Sequence, residues 1–202
     1  MRTTLMLALA IAFMFMGVVR ADDALKPDEE GFIRNWLVLA PLPFGSAQSG
    51  TEALAKEQVP GEAKLRPKEG DKVKVADKAL SWKTHKCDTH LLDLNAFLGA
   101  QTEDSVGYAV CYVVCGQKMD DLTMKTGSDD QAKVYLNGKE VFKMAEARAA
   151  DKDQDTTEVT LRKGVNVLVA KVANEKVDWS FCVRFTDKDD KPYTDLKSKT
   201  TE

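Results

Sequence analysis

The chain has 202 residues, 29 Lys and Arg against 32 Asp and Glu, a formal charge of -3 at pH 7, and 44% hydrophobic residues. The length suits one globular domain, and 12 Gly and 6 Pro with apolar residues spread along most of the chain exclude collagen-like, coiled-coil and disordered classes. A slightly acidic balance excludes a nucleic-acid binder, which needs excess Lys and Arg to contact phosphates.

At the N-terminus, Arg2 precedes the apolar run Leu5 to Val19, and Val19 and Ala21 stand three and one positions before a break into the acidic Asp22 and Asp23. Positive start, short apolar stretch and small or branched residues before the break describe a secretory signal peptide over residues 1–21. The run is short for a membrane span. Left uncleaved, it reads instead as an N-terminal anchor. Cleavage leaves residues 22–202 as a soluble domain, secreted or periplasmic, with no membrane attachment.

Strand signals begin at Phe32 to Ala40 and stop at Pro41 and Pro43. Residues 45–79 read as a long surface excursion, with two helical turns over Thr51 to Val59 and breaks at Pro60, Pro67 and Gly70. Strand signals return at 80–86, 90–94, 106–114, 122–126, 132–136, 140–144, 158–161, 165–172 and 179–185. About ten short strands without a long helix between them predict an all-β, antiparallel β-sandwich. The sharpest local signal is Asn137-Gly138 between apolar alternations, a hairpin that places Val134, Leu136 and Val141 on one face. A second tight bend is expected at Arg162 Lys163 Gly164.

Several of these stretches carry a resemblance. Gly127 Ser128 Asp129 Asp130, Lys133 to Lys139 with Val141, Arg148, Val159 to Leu161, Lys163 Gly164, Asn166 and Val169 to Val172 resemble the galactose-binding-like jelly rolls of secreted bacterial proteins. Trp36 to Pro41, Pro67 to Asp71, Leu80 with Trp82, and Tyr108 Ala109 fit the same planctomycete-type pattern. The resemblance covers nearly the whole of residues 22–202. It implies a jelly roll that binds carbohydrate or a structural calcium, or serves as a spacer beside an enzyme.

The candidate ligand-binding residues are Asp129, Asp130, Arg148 and Trp82. Asp129 and Asp130 offer carboxylate oxygens to a hard cation or to sugar hydroxyls, or else bond to loop backbone N–H groups. Asp151, Asp153 and Asp155 have a calcium-loop spacing without the Gly and distal Glu of an EF-hand, and read equally as a solvated acidic loop. Calcium is thus the one cofactor the sequence leaves open. Trp36, Trp82 and Trp179 supply rings that stack on sugars, yet each lies inside a strand run, where burial competes. His85, Cys87 and His90 form an H-x-C-x-x-H cluster without a clear fourth metal ligand.

No G-x-S-x-G elbow, HExxH or P-loop occurs. The reading is therefore a non-catalytic binding module for carbohydrate or another cell-envelope component. The alternatives are a structural or assembly protein that contacts a partner protein, and a small hydrolase with paired carboxylates.

Four cysteines in a secreted chain are expected to oxidise, the alternative being that some stay free, since a small buried thiol also suits a strand. Cys111 and Cys115 lie on one extended strand, about 13 Å apart at about 3.3 Å per residue, and so are too distant to pair. Alternation sets Trp179, Phe181, Val183 and Phe185 on the core face of one strand and Tyr108, Val110, Tyr112 and Val114 on that of another, which turns Cys182 and Cys111 outward. Because those two strands are plausible neighbours in a jelly roll of this kind, the expected bridges are Cys111 with Cys182 and Cys87 with Cys115.

Overall fold

The computed structural model describes residues 24–75 and 78–202. The signal-peptide reading of residues 1–21 lies outside them. In chain order the elements are β1 (Asn35–Pro43), α1 (Gly50–Ala55), a 3-10 turn at Glu62–Lys64, β2 (Lys72–Val75), β3 (Lys78–Ser81), β4 (Lys83–Lys86), β5 (Leu92–Asp93) and α2 (Leu94–Leu98). Then come β6 (Ser105–Cys115), β7 (Met119–Asp129), β8 (Ala132–Leu136), β9 (Lys139–Met144), β10 (Asp155–Leu161), β11 (Gly164–Asn174), β12 (Ser180–Thr186) and β13 (Lys197–Lys199).

Local chemistry sets most boundaries. The Ser49 hydroxyl accepts from the Glu52 N–H while the Glu52 carboxylate accepts from the Ser49 N–H, a capping box that starts α1. Asp93 caps α2, and Gly99, left-handed at φ 69°, ends it. The Asn137-Gly138 turn closes the expected hairpin with φ of 53° and 85°. Its ladder shifts register between Val134 and Tyr135, so Val134 and Leu136 face the interior with Phe142, and Val141 packs against them.

Two antiparallel sheets stack as a β-sandwich. The larger runs β4-β1-β6-β11-β8-β9, with β13 added beside β6, and the smaller runs β10-β7-β12-β5. Between them lie Trp36, Val38, Cys111, Val134, Leu168 and Val172 from the larger sheet, facing Met124, Phe181, Val183 and Phe185 from the smaller. The hairpin of β2 and β3 stands apart from both.

The excursion differs from its expected form. It folds back over the outer face of the larger sheet and closes a second core, in which Ala53, Val59 and Trp82 cover Leu37, Leu39, Tyr108, Val110, Tyr112 and Val169. The centre of that sheet is therefore buried on both faces. A fully buried Leu or Val contributes about 1.5–3 kcal/mol, so Leu37, Leu39, Val110 and Val169 make this covering layer integral to the fold.

One buried polar cluster pins the layer down. Lys171, on the outer face of β11 and fully buried, donates to the Leu54 carbonyl at 3.1 Å, the Lys56 carbonyl at 2.5 Å and the Glu62 carboxylate at 2.9 Å. Glu62 also accepts from the Tyr108 hydroxyl at 2.5 Å and the Tyr135 hydroxyl at 2.7 Å. Burial alone pushes the Glu62 carboxyl up; the two phenols and the ammonium outweigh it and hold the group below the ordinary carboxylate value. All three ammonium hydrogens are thus matched to acceptors, the condition under which a buried ion pair is tolerated.

The cysteine pairing is corrected. All four cysteines are buried free thiols. Strand β6 lies between β1 and β11, whereas β12 lies between β7 and β5 in the other sheet, so Cys111 and Cys182 are not on neighbouring strands. Alternation misled because Tyr108, Val110 and Tyr112 face the second core, which turns Cys111 inward toward the first. Cys87 and Cys115 both line that first core, unjoined. Burial raises every thiol pKa, to about 12 for Cys87 and Cys182. A thiol reagent at pH 8 is expected to label none of the four in the native protein and all four after unfolding without reductant. Fewer than four labelled after unfolding would restore a disulfide.

Candidate functional site

Residues from four segments meet at one end of the sandwich. Asp93 at the end of β5, Asn95 in α2, Asp129 at the end of β7, Ala149 and Ala150 in the loop before β10, and Asp178 to Ser180 leading into β12 line a cleft of about 230 Å³. Backbone and side-chain hydrogen bonds fix these segments. Asn95 donates to the Val177 carbonyl at 2.7 Å and accepts from the Thr102 N–H at 2.9 Å, while Asp93 accepts from the Ala96 N–H at 2.8 Å.

Asp129 is the buried acid of the cleft. Burial, then the neighbouring Asp130 and Asp178 carboxylates, push its carboxyl from 3.8 to about 6, against a hydrogen bond from the Ala150 N–H. The peptide joining Asp129 to Asp130 is cis. Asp130 serves the frame: its carboxylate accepts from the Glu175 N–H at 2.8 Å and so holds the loop that carries Val177 and Asp178. Val177 stands out twice, as the single large hydrophobic side chain exposed among the described residues and as a β-branched residue at φ 62°. That region is costly for such a side chain and persists only where its surroundings enforce it.

The sequence candidates separate in space. Of Asp129, Asp130, Arg148 and Trp82, Asp129 alone lines the cleft. Arg148 belongs to the loop before β10, where it donates to the Ser128 hydroxyl at 3.3 Å and pairs with Asp155. Trp82 is a correction, because it is buried in the second core beyond the larger sheet and offers no ring to a sugar. Trp36 and Trp179 are buried too, donating to the Ile33 and Val172 carbonyls.

The calcium-spaced acids do not converge. Asp153 is gripped by the Arg184 guanidinium, with the Nε bond at 2.8 Å, and Asp155 by Arg148, leaving Asp151 to accept from the Lys152 N–H. His85 packs on Phe97 and His90 on Phe32, each with ring centroids 5.3 Å apart, while Cys87 points into the first core. Among the described residues, no group of three His, Cys, Asp or Glu side chains is placed to hold a metal ion. None of their helices is long and apolar enough to cross a membrane.

A larger concavity of about 550 Å³ runs between the edge strands β9 and β10, lined by Leu136, Val141 and Val159 with Lys139, Glu158 and Arg162. Its charged side chains are all exposed and of mixed sign. The smaller cleft holds the buried, perturbed acid, which makes it the stronger candidate. Sequence reading missed Asp93, Asn95 and Asp178, which lie far from Asp129 along the chain. Comparison of the chain with protein-family models, curated proteins and solved structures finds no match.

Proposed function

We propose that the protein is a secreted, non-catalytic binding module of the galactose-binding-like jelly-roll kind, and that the cleft around Asp129 takes a carbohydrate of the cell envelope. The observation that carries this reading is the convergence of the Asp93, Asp129 and Asp178 carboxylates with Ser180 and Asn95 on one concave surface. Sugar hydroxyls are donors that such acceptors match, and carboxylate hydrogen bonds are the strong ones. Val177, beside the cleft, supplies an apolar surface of the sort a sugar C–H face covers.

A glycan array followed by calorimetric titration tests it. Saturable binding to a sugar, weakened at least about tenfold by Asp178→Ala, is the expected result. A protein partner captured without sugar dependence would replace this reading with the assembly one. The Asp129 carboxyl adds a pH signature. Its folded pKa lies above its unfolded value, so the native state holds the proton more tightly, and this group favours folding more as pH falls from 7 toward 4. Asp129→Asn is therefore expected to stabilise the protein at pH 7 by on the order of 1 kcal/mol, and to flatten the response between about pH 4 and 6. Denaturant unfolding across that range measures both. A variant that is less stable at pH 7 and keeps the same pH response would show that the charged carboxylate is held by compensating bonds.

A further inference from the structure

A second concavity, of about 240 Å³, opens where the described chain begins, lined by Leu25, Lys26, Asp28, Arg34, Asn35 and Lys86. Its cations outnumber its carboxylates three to one. Arg34 spends Nε and one terminal nitrogen on the Cys87 and Asp88 carbonyls, at 2.5 to 3.0 Å, which orients the guanidinium without neutralising it. Lys86 stands directly across the ladder from Asn35. No carboxylate among the described residues reaches ion-pair distance of Arg34 or Lys86; Lys26 alone has a partner, Asp195, in an exposed pair. Asp28, the one acid of the lining, is turned to the backbone N–H groups of Glu30 and Phe32.

Asn35 is the decisive residue. It is 6% exposed and lines the concavity, and its side-chain amide, which solvent reaches, makes no hydrogen bond to any described residue. Its N–H donors are thus left to water or to a ligand in the concavity. A solvated row of surface lysines accounts for Lys86 and Lys26, whereas Asn35 and Arg34 set an amide without a protein partner beside an unneutralised guanidinium in the wall of one concavity.

We propose that this concavity binds a tetrahedral oxyanion, the phosphate or sulfate group of a free ion or an ester. The donors arrive from three segments, the N-terminal stretch, β1 and β4, an arrangement that surrounds a tetrahedral group better than it faces a planar carboxylate. At about 30 Å³ per water, the volume admits the anion and the start of an ester chain. The site lies apart from the Asp129 cleft and stands whether or not that cleft binds sugar.

The test is a titration of the full chain at low ionic strength with inorganic phosphate, inorganic sulfate and glycerol phosphate, read by NMR at the Asn35 side-chain amide and the Arg34 Nε–H. Expected are saturable shifts confined to residues 25–35 and Lys86, absent with sodium chloride at matched ionic strength. Lys86→Glu, on an exposed edge strand, is expected to weaken binding at least about tenfold. Asn35→Asp, equal in size, is expected to abolish it while the circular dichroism spectrum remains native. Tighter binding of glycerol phosphate assigns the ester, and tighter binding of the inorganic ions assigns the free anion. Equal shifts with chloride, shifts that do not saturate, or wild-type binding by either folded variant would overturn the proposal.

Discussion

Replacing Lys171 with Ala is expected to cost the fold about 3–5 kcal/mol, the range for removing one partner of a buried ion pair. The reason is what remains. Glu62 would keep a carboxylate among Tyr108, Tyr135 and the second core without its counter-charge, and the Leu54 and Lys56 carbonyls would lose their donor. Because the segment over residues 50–65 is held to the larger sheet through this cluster, its loss should free that segment before the sandwich opens. The measurement is denaturant unfolding, with limited proteolysis of the native variant to locate the first cut. Lys171→Met combined with Glu62→Gln removes both charges, keeps an acceptor for the phenols, and is expected to recover part of the loss. A single substitution costing less than about 1 kcal/mol would show that water already reaches the pair.

Gly127→Ala is expected to cost about 2–3 kcal/mol, at the upper end for overpacking. A methyl group at Gly127 would overlap the Asp151 carbonyl oxygen and come within 3.1 Å of the Cys182 sulfur. The strand cannot move, since Gly127 pairs with Cys182 across the ladder to β12. The loop over residues 145–154 must lift instead, loosening the Arg148 to Asp155 and Arg184 to Asp153 pairs that anchor it. Two readouts follow: lower stability in denaturant, and a Cys182 thiol that becomes reactive while the protein is still native. An unchanged stability would mean that the loop rests on β7 without being locked there.

Local signals in the sequence translated well into structure. The Asn137-Gly138 hairpin was legible because both of its turn residues occupy positive φ, and Pro41 and Pro43 marked the end of β1 within a few residues. The sandwich itself followed from strand spacing. What failed was the assumption that each strand has one dry and one wet face. Along β6 and β11 nearly every residue is buried, so alternation cannot say which face meets the other sheet, and the wrong choice at Tyr108 and Tyr112 carried Cys111 with it. The covering layer was hidden for a related reason. Its apolar residues, Ala53, Val59, Val73, Leu80 and Trp82, arrive singly among charges, and Glu62 has no mark in sequence as a buried acid. The one trace was Lys171, a charge inside the apolar run Val165 to Val172, which needs a partner from elsewhere. The cleft was half legible: Asp129 stood out, but Asp93 and Asp178 join it only through the pairing of β12 with β5 and β7.

The order of strands in the larger sheet leaves β4 and β9 at its two margins. A free margin presents unpaired N–H and C=O groups on which another chain can build, the starting point of aggregation. Here both margins are armed with charge: β4 exposes Lys83 and Lys86, and β9 exposes Lys139, Glu140 and Lys143. A second copy approaching either margin would have to strip these lysines of water and set like charges side by side, which opposes extension of the sheet beyond its own boundaries.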